Sequence, residues 1–175
     1  MTTENTVSVR KLEIHEWETY SNLRLRSLAD SPDAFGSTLA AEQERSPEAW
    51  AARLSAAAVS GKDYPLVAEI AGTAAGLVWA KVDADDESIV NIFQMWVAPE
   101  SRGRGAAAAL LRTAILWAKD RNARLVRLGV ACGDTPAVRL YVREGFRDVG
   151  EPEPLRAGSP LLSQTMQLAI AAEAA

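Results

Sequence analysis

Met95-Trp96-Val97-Ala98-Pro99-Glu100-Ser101-Arg102-Gly103-Arg104-Gly105-Ala106-Ala107-Ala108-Ala109-Leu110-Leu111 takes an apolar strand into a short Arg/Gly loop, and the loop opens directly into an Ala/Leu helix. That order gathers backbone N–H groups, two arginines and a helix N-terminus at one point in space. First-turn N–H groups have no intrahelical partner, and the helix dipole adds partial positive charge, so such a point attracts a phosphate or pyrophosphate. The two glycines allow φ > 0 and remove Cβ atoms that would hold a ligand off the main chain. Taken alone, the stretch predicts an anion site of unspecified purpose. Gly-x-Gly-x-x-Gly is absent and no Gly-Lys-Ser/Thr follows, which disfavours a dinucleotide fingerprint and a P-loop.

Working outward, the hydrophobic period assigns the neighbouring elements. Upstream, Ile89–Val97 is an apolar run, preceded by the acidic loop Asp83-Ala84-Asp85-Asp86-Glu87. Leu66–Ala71 and Gly76–Val82 are two more apolar runs, with Gly72-Thr73 as a hairpin signal between them. Ser46-Pro47-Glu48 reads as an N-cap, a proline at the first helical position and a dipole-matched acid, opening a helix to about Ala58. An earlier helix spans about Glu16 to Ala29 and stops at Asp30-Ser31-Pro32-Asp33, because proline disfavours α geometry in the residue before it. Val7 and Val9 mark a first strand.

Downstream, Ala107, Leu110, Leu111, Ala114 and Ala118 form a helical stripe to about Arg121, and Leu125–Val130 is a strand. Asp134-Thr135-Pro136 supplies an N-cap, read at Asp134, for a helix closed by Gly145. Phe146–Val149 is a short extended piece, Glu151-Pro152-Glu153-Pro154 a loop, and Leu161–Ala169 the last strand. Three consecutive strands predict an antiparallel half, and the strand–helix–strand unit after them predicts parallel pairing. The expectation is an α/β (α+β) fold, a single mixed sheet of six or seven strands flanked by helices, in one domain over residues 1–175.

Composition limits the chemistry. At 175 residues and 48% hydrophobic content the chain is long enough to bury a core. A formal charge of −4 gives no reason to expect nucleic acid or an anionic membrane as partner. Cys132 is the only cysteine and His15 the only histidine, so neither an internal disulfide nor a metal cluster is expected, and the usage fits a reducing cytoplasm. Met1–Thr6 lacks the order of a signal peptide, and no apolar run approaches the ~20 residues that cross a bilayer.

A second motif lies downstream: Asp134-Thr135-Pro136-Ala137-Val138-Arg139-Leu140-Tyr141-Val142-Arg143-Glu144-Gly145-Phe146. With Arg102-Gly103-Arg104-Gly105-Ala106-Ala107 before it, the chain resembles the GCN5-related N-acetyltransferase superfamily. That family carries Arg/Gln-x-x-Gly-x-Gly/Ala between a strand and a helix. Its second block is Asn-x-x-Ala-x-x-Leu-Tyr-x-x-x-Gly-Phe; here Asp134 replaces the Asn. The resemblance is strongest over 89–150 and loose before residue 60.

It implies the acyl-CoA N-acyltransferase fold and acetyl-coenzyme A as co-substrate, with no metal. Met95, Trp96 and Val97 would pair through their backbones with the pantetheine arm. Arg102, Gly103, Arg104, Gly105, Ala106 and Ala107 would hold the pyrophosphate, with Asp134 and Ala137 as further coenzyme contacts. Tyr141 would protonate the departing thiolate, a task suited to a phenol that stays protonated at neutral pH.

The acceptor implied is a primary amine of a small molecule or peptide. Protein N-terminal or lysine acetylation, and a non-catalytic acyl-CoA-binding module, are the alternatives, and a homodimer stays open. Phe35, Trp79 and Asn91 are the candidate acceptor residues, with Trp96 a further aromatic for an apolar cleft. Asn91 occupies the strand position where several family members carry a Glu base, and asparagine cannot take a proton at neutral pH. Proton removal is left to ordered water, Glu87, Glu42 or Glu44, although solvated surface carboxylates are the plainer reading of these three. Arg24 and Arg26 read as solvated helix charges.

Overall fold

Among the described residues seven strands form a single sheet, in which Val7–Lys11 (β1), Asp63–Ile70 (β2), Thr73–Val82 (β3), Ile89–Val97 (β4), Leu125–Ala131 (β5), Leu162–Ala169 (β7) and Arg147–Pro154 (β6) lie side by side in that order. The structure is a computed structural model that describes residues 6–170; Met1–Asn5, and with them most of the N-terminal reading, lie outside the described residues. The elements are β1 (Val7–Lys11), α1 (Trp17–Asp30), α2 (Leu39–Gln43), α3 (Pro47–Ser60), β2 (Asp63–Ile70), β3 (Thr73–Val82), β4 (Ile89–Val97), α4 (Ala106–Asp120), β5 (Leu125–Ala131), α5 (Pro136–Arg143), β6 (Arg147–Pro154) and β7 (Leu162–Ala169). Short 3₁₀ turns at Ile14–Glu16, Pro32–Ala34 and Pro99–Ser101 join some of them.

Every strand pair is antiparallel except β4–β5, which is parallel and bridged by α4. That is the geometry a strand–helix–strand crossover imposes. Alternation along the strands sends side chains to two cores. Val78, Val90, Ile92 and Val97 pack with Leu110, Leu111 and Ala114 of α4 and with Tyr141 of α5. Val67, Leu77, Trp79 and Trp96 pack on the other face with Tyr20, Leu23 and Leu28 of α1 and with Trp50 and Leu54 of α3.

Helix termini follow local chemistry. Ser46 Oγ accepts from the Ala49 N–H at 3.1 Å, Pro47 starts α3, and Gly61 closes it at φ 67°. Two sequence readings are corrected here. Glu151–Pro154 belongs to β6 rather than to a loop. β6 is the edge strand beside β7, and on an edge a proline's missing N–H leaves no ladder bond unmade. The N-cap of α5 is Thr135, whose side chain accepts from the Val138 N–H at 3.3 Å, and not Asp134. The short helix α2 was not anticipated.

Candidate active site

β4 (Ile-Val-Asn-Ile-Phe-Gln-Met-Trp-Val) is rich in β-branched and aromatic residues and sits at the middle of the sheet, yet its ladder is incomplete on one side. It pairs with β5 only from Ile89 to Ile92, opposite Leu125 to Leu128. β5 then continues along β7 as far as Ala131. From Phe93 to Val97, β4 has no partner strand on its β5 side among the described residues, so backbone donors and acceptors line a cleft between the two strands.

A bulge marks the parting. Leu77 faces Trp96 and Trp79 faces Phe93, so Gln94 and Met95 together stand opposite Val78. Gln94 takes φ 60°, a left-handed conformation unfavourable for a residue with a Cβ. Its side chain is tied down: Tyr20 donates its hydroxyl to Gln94 Oε1 at 2.7 Å, and Arg53 Nη1 donates to the Tyr20 oxygen at 3.2 Å. Beyond the bulge the Ala98 N–H donates to the Ala75 carbonyl, so strand alternation turns the Val97 N–H toward the cleft.

At the mouth of the cleft the Arg/Gly loop behaves as its sequence requires. Gly103 and Gly105 adopt φ 80° and 86°, and a Cβ at either would project into open space. Gly105 is the N-cap of α4 and carries no side chain to satisfy the first turn. The first intrahelical bond runs from the Ala109 N–H to the Gly105 carbonyl, so the N–H groups of Ala106, Ala107 and Ala108 precede it. A diphosphate fits such a cradle of main-chain donors at the positive end of a fifteen-residue helix.

The side chain of Arg102 is employed differently from the expectation that two arginines converge on an anion. Its Nε donates to the Val97 carbonyl at 3.0 Å and its Nη2 to Asp30 Oδ2 at 2.7 Å. The guanidinium therefore braces the end of β4 against the end of α1, and what Arg102 adds to the loop is main chain. Asp30 also accepts from Trp96 Nε1 at 3.0 Å and from the Ser31 hydroxyl at 2.7 Å. These hydrogen bonds, from Trp96 and Ser31 first and Arg102 after, hold its carboxyl at about 2, below the ordinary 3.8.

A carboxyl lowered by folding stabilises above its unfolded value and loses that contribution as pH falls through the folded one. Asp30→Asn is accordingly expected to lower Tm near neutral pH. The gap from the unaltered protein should close as pH falls from about 3.8 to about 2, which a thermal-melt series across that range checks.

Tyr141 lies on the inner face of α5, buried beside Phe146 with ring centroids 5.8 Å apart. Burial pushes its phenol pKa up, so it remains a proton donor across the neutral and alkaline range. Ala137 is exposed on the first turn of the same helix. Asp134 is turned outward, its carboxylate accepting from Arg139 Nη1 at 2.8 Å with most of the side chain in solvent.

The expected acceptor residues separate. Trp79 lines a depression of about 280 Å³ with Arg53, Asp63, Lys81, Phe93 and Gln94, on the face of the sheet that carries α1 and α3. Its indole Nε1 donates to Asp63 Oδ1 at 2.9 Å. Asn91 does not line the depression: it pairs in the ladder with Lys81, which does, and its side chain is spent on Asp83 Oδ1, to which it donates at 2.8 Å. Phe35 does not reach it; the ring is buried against the Arg24 guanidinium, 4.8 Å away. Trp96 is core, held under Arg26 and by Asp30, and not a cleft wall.

The candidate bases divide too. Glu87 is exposed and paired with Lys62. Glu44 is exposed. Glu42 is buried, against the expectation of a solvated carboxylate. Burial alone would raise its pKa, but hydrogen bonds from Arg45 and Ser37 outweigh that and hold it low, which makes it a poor proton acceptor. Arg24, expected in solvent, is buried as well. Tyr20, Arg53, Asp63 and Gln94 escape a sequence reading, although Tyr20 and Arg24 do share one helix face at i, i+4 spacing.

Among the described residues no helix is long and apolar enough to cross a membrane, and no cluster of metal-binding side chains occurs.

Comparison with known proteins adds an independent line. The model of the acetyltransferase (GNAT) family matches residues 15–146. A mycothiol acetyltransferase from Thermobispora bispora is 33% identical over 133 residues, covering 74% of this chain and 42% of that protein. The chain thus spans about two-fifths of the length of the first curated relatives it matches. A GNAT acetyltransferase from Streptococcus pneumoniae superposes with a TM-score of 0.79 at 23% identity, over 95% of this chain and 100% of that one. Spermidine N-acetyltransferase from Vibrio cholerae, solved with CoA and spermine, gives 0.76 at 21% identity over 93% and 95%. At those identities the structural matches establish the shared fold.

Proposed function

Because the chain belongs to the acetyltransferase (GNAT) family, we propose that it transfers an acetyl group from acetyl-coenzyme A to a primary amine within a ternary complex. The observation that carries this reading is the parting of β4 from β5 on the strand that leads, through the Arg/Gly loop, into the glycine-shaped, uncapped start of α4. An extended chain of amides fits the unpaired edge of Phe93–Val97 as an added strand, and a diphosphate fits the N–H groups following Gly103 and Gly105. The relatives that bind coenzyme A, and the family match, support that ligand.

The neutral amine nitrogen attacks the thioester carbonyl carbon. Main-chain N–H groups of β4 at the cleft polarise the carbonyl oxygen. As the C–N bond forms, the C–S bond breaks, and Tyr141 gives its proton to the departing thiolate; its phenolate, disfavoured by burial, then regains a proton from solvent, matching the one the amine releases. The amine's proton leaves through water in the depression beside Trp79, whose wall carries the Asp63 carboxylate. The buried, ion-paired Glu42 and the surface-paired Glu87 take no part in this scheme.

Titrating the protein with acetyl-coenzyme A by calorimetry, and following thiol release with a panel of amines and peptides, tests the reading. Saturable binding with amine-dependent thiol release is expected. Binding with no turnover on any acceptor would leave an acyl-CoA-binding module instead, and absence of binding would overturn the site.

A further inference from the structure

Arg24 of α1 is 4% exposed, and its Nε and Nη1 donors have no hydrogen-bond partner. A guanidinium keeps its proton inside a protein and presents five N–H donors, so burying it with donors unmet is strongly unfavourable. The Phe35 ring beneath it meets the charge from the face and leaves those in-plane donors unanswered.

Nearby charge does not answer them either. Glu42 lies within Coulombic reach, but its carboxylate already accepts from Arg45 Nε at 2.6 Å and Ser37 Oγ at 2.9 Å, and stands 3.6 Å from Arg53 Nη2. Arg45 and Arg53 repel Arg24. Three guanidiniums surround one carboxylate, an excess of positive charge behind the face where the acceptor would lie.

The placement along α1 is as telling as the charge. Tyr20, one turn before, is fastened to Gln94, and Asp30, further on, is fastened to Trp96. Arg24 therefore sits between two attachment points, alongside the part of β4 that has left β5. The roof is the segment after α1: the Pro32–Ala34 turn reaches β5, and Arg156 from the β6–β7 loop donates to the carbonyls of Pro32, Phe35 and Gly36. One side chain thus ties down the segment that carries Phe35, the ring packed on the guanidinium.

We propose that Arg24 is the anion anchor of the acceptor pocket, so that the acceptors are amines bearing a carboxylate, amino acids above all. This rests on the acetyl-transfer reading of the cleft. The preference is a matter of unmet donors: a carboxylate satisfies them, whereas a carboxamide or a plain alkylamine leaves the charge unpaired.

The test compares matched acceptors in the thiol-release assay: each amino acid, its carboxamide and its decarboxylated amine. The unaltered protein is expected to favour the acid by about tenfold or more in kcat/KM. Arg24→Gln and Arg24→Met should abolish the preference, and Arg24→Lys should retain part of it.

A merely structural arginine is distinguished by stability. Arg24→Met removes an unpaired buried charge and should hold or raise Tm, whereas loss of a structural contact would lower it. Thermal shift by amino acids in the presence of coenzyme A gives a readout independent of turnover. It should be present in the unaltered protein and absent in Arg24→Gln.

Equal use of acids and amides, a preference that survives Arg24→Gln, or a fall in Tm for Arg24→Met overturns the anchor while acetyl transfer stands. Failure to bind acetyl-coenzyme A overturns the transfer reading itself, and the thermal shift then still decides whether Arg24 takes a carboxylate.

Discussion

Tyr141→Phe is expected to lower kcat by about 10²-fold or more, the low end of what a positioned general acid contributes, with little change in affinity for acetyl-coenzyme A. The substitution removes one oxygen from a buried ring that packs against Phe146 and leaves the apolar contacts in place. Tm should therefore stay close to that of the unaltered protein, and a fall in rate can be read as chemistry rather than unfolding. The argument turns on proton availability. Burial shifts the Tyr141 pKa upward, so the donor is present through the alkaline range, and an alkaline decline in kcat would belong to another group. Pre-steady-state and steady-state rates with a good acceptor check this. Unchanged kcat in a folded Tyr141→Phe protein removes the proton-donor role.

Gly105→Val is expected to raise the dissociation constant for acetyl-coenzyme A by about tenfold or more, the equivalent of about 1.4 kcal/mol. Two effects combine. A β-branched residue at φ 86° is strained by about 1–3 kcal/mol, and its side chain projects into the space before the first turn of α4. Gly61 separates them, because it closes α3 at φ 67° with open space around it and lies outside the proposed cleft. Gly61→Val should cost comparable stability and leave coenzyme affinity alone. Calorimetric titration of both variants distinguishes a cradle for diphosphate from a tight turn that merely needs glycine; equal affinities would sink the cradle.

The loop and its flanks were legible because they depend on local chemistry: a strand period, two glycines and a change to helical period within seventeen residues. The parting of β4 from β5 was not legible. It depends on a register between strands separated by a whole helix, and the Gln94–Met95 bulge carries no glycine to announce it. Glu151-Pro152-Glu153-Pro154 looked like a loop because two prolines remove two donors, a loss that an edge strand tolerates and a central one does not. Arg24 and Glu42 were read as surface charges because charged residues are seldom buried, and burial here follows from a cluster assembled from α1, α2 and α3. Tyr141 and Gly105 stand in motifs that the resemblance points to, whereas the residues lining the depression beside Trp79 follow no pattern in sequence.

The narrow four-pair contact between β4 and β5 also bears on how the molecule assembles. β1 to β4 come from residues 7–97 and β5 to β7 from residues 125–169, so each side of the contact is a continuous length of chain. The β2–β3–β4 meander closes through short connections and is expected to form early, while docking β5 onto β4 requires the intervening helix to be in place. The cleft is thus the seam between two continuous halves of the polypeptide, joined in sequence by α4. Ligand occupying that seam would close the weakest joint of the sheet, and amide exchange along Ile89–Ile92 and Leu125–Leu128 is where its grip would register first.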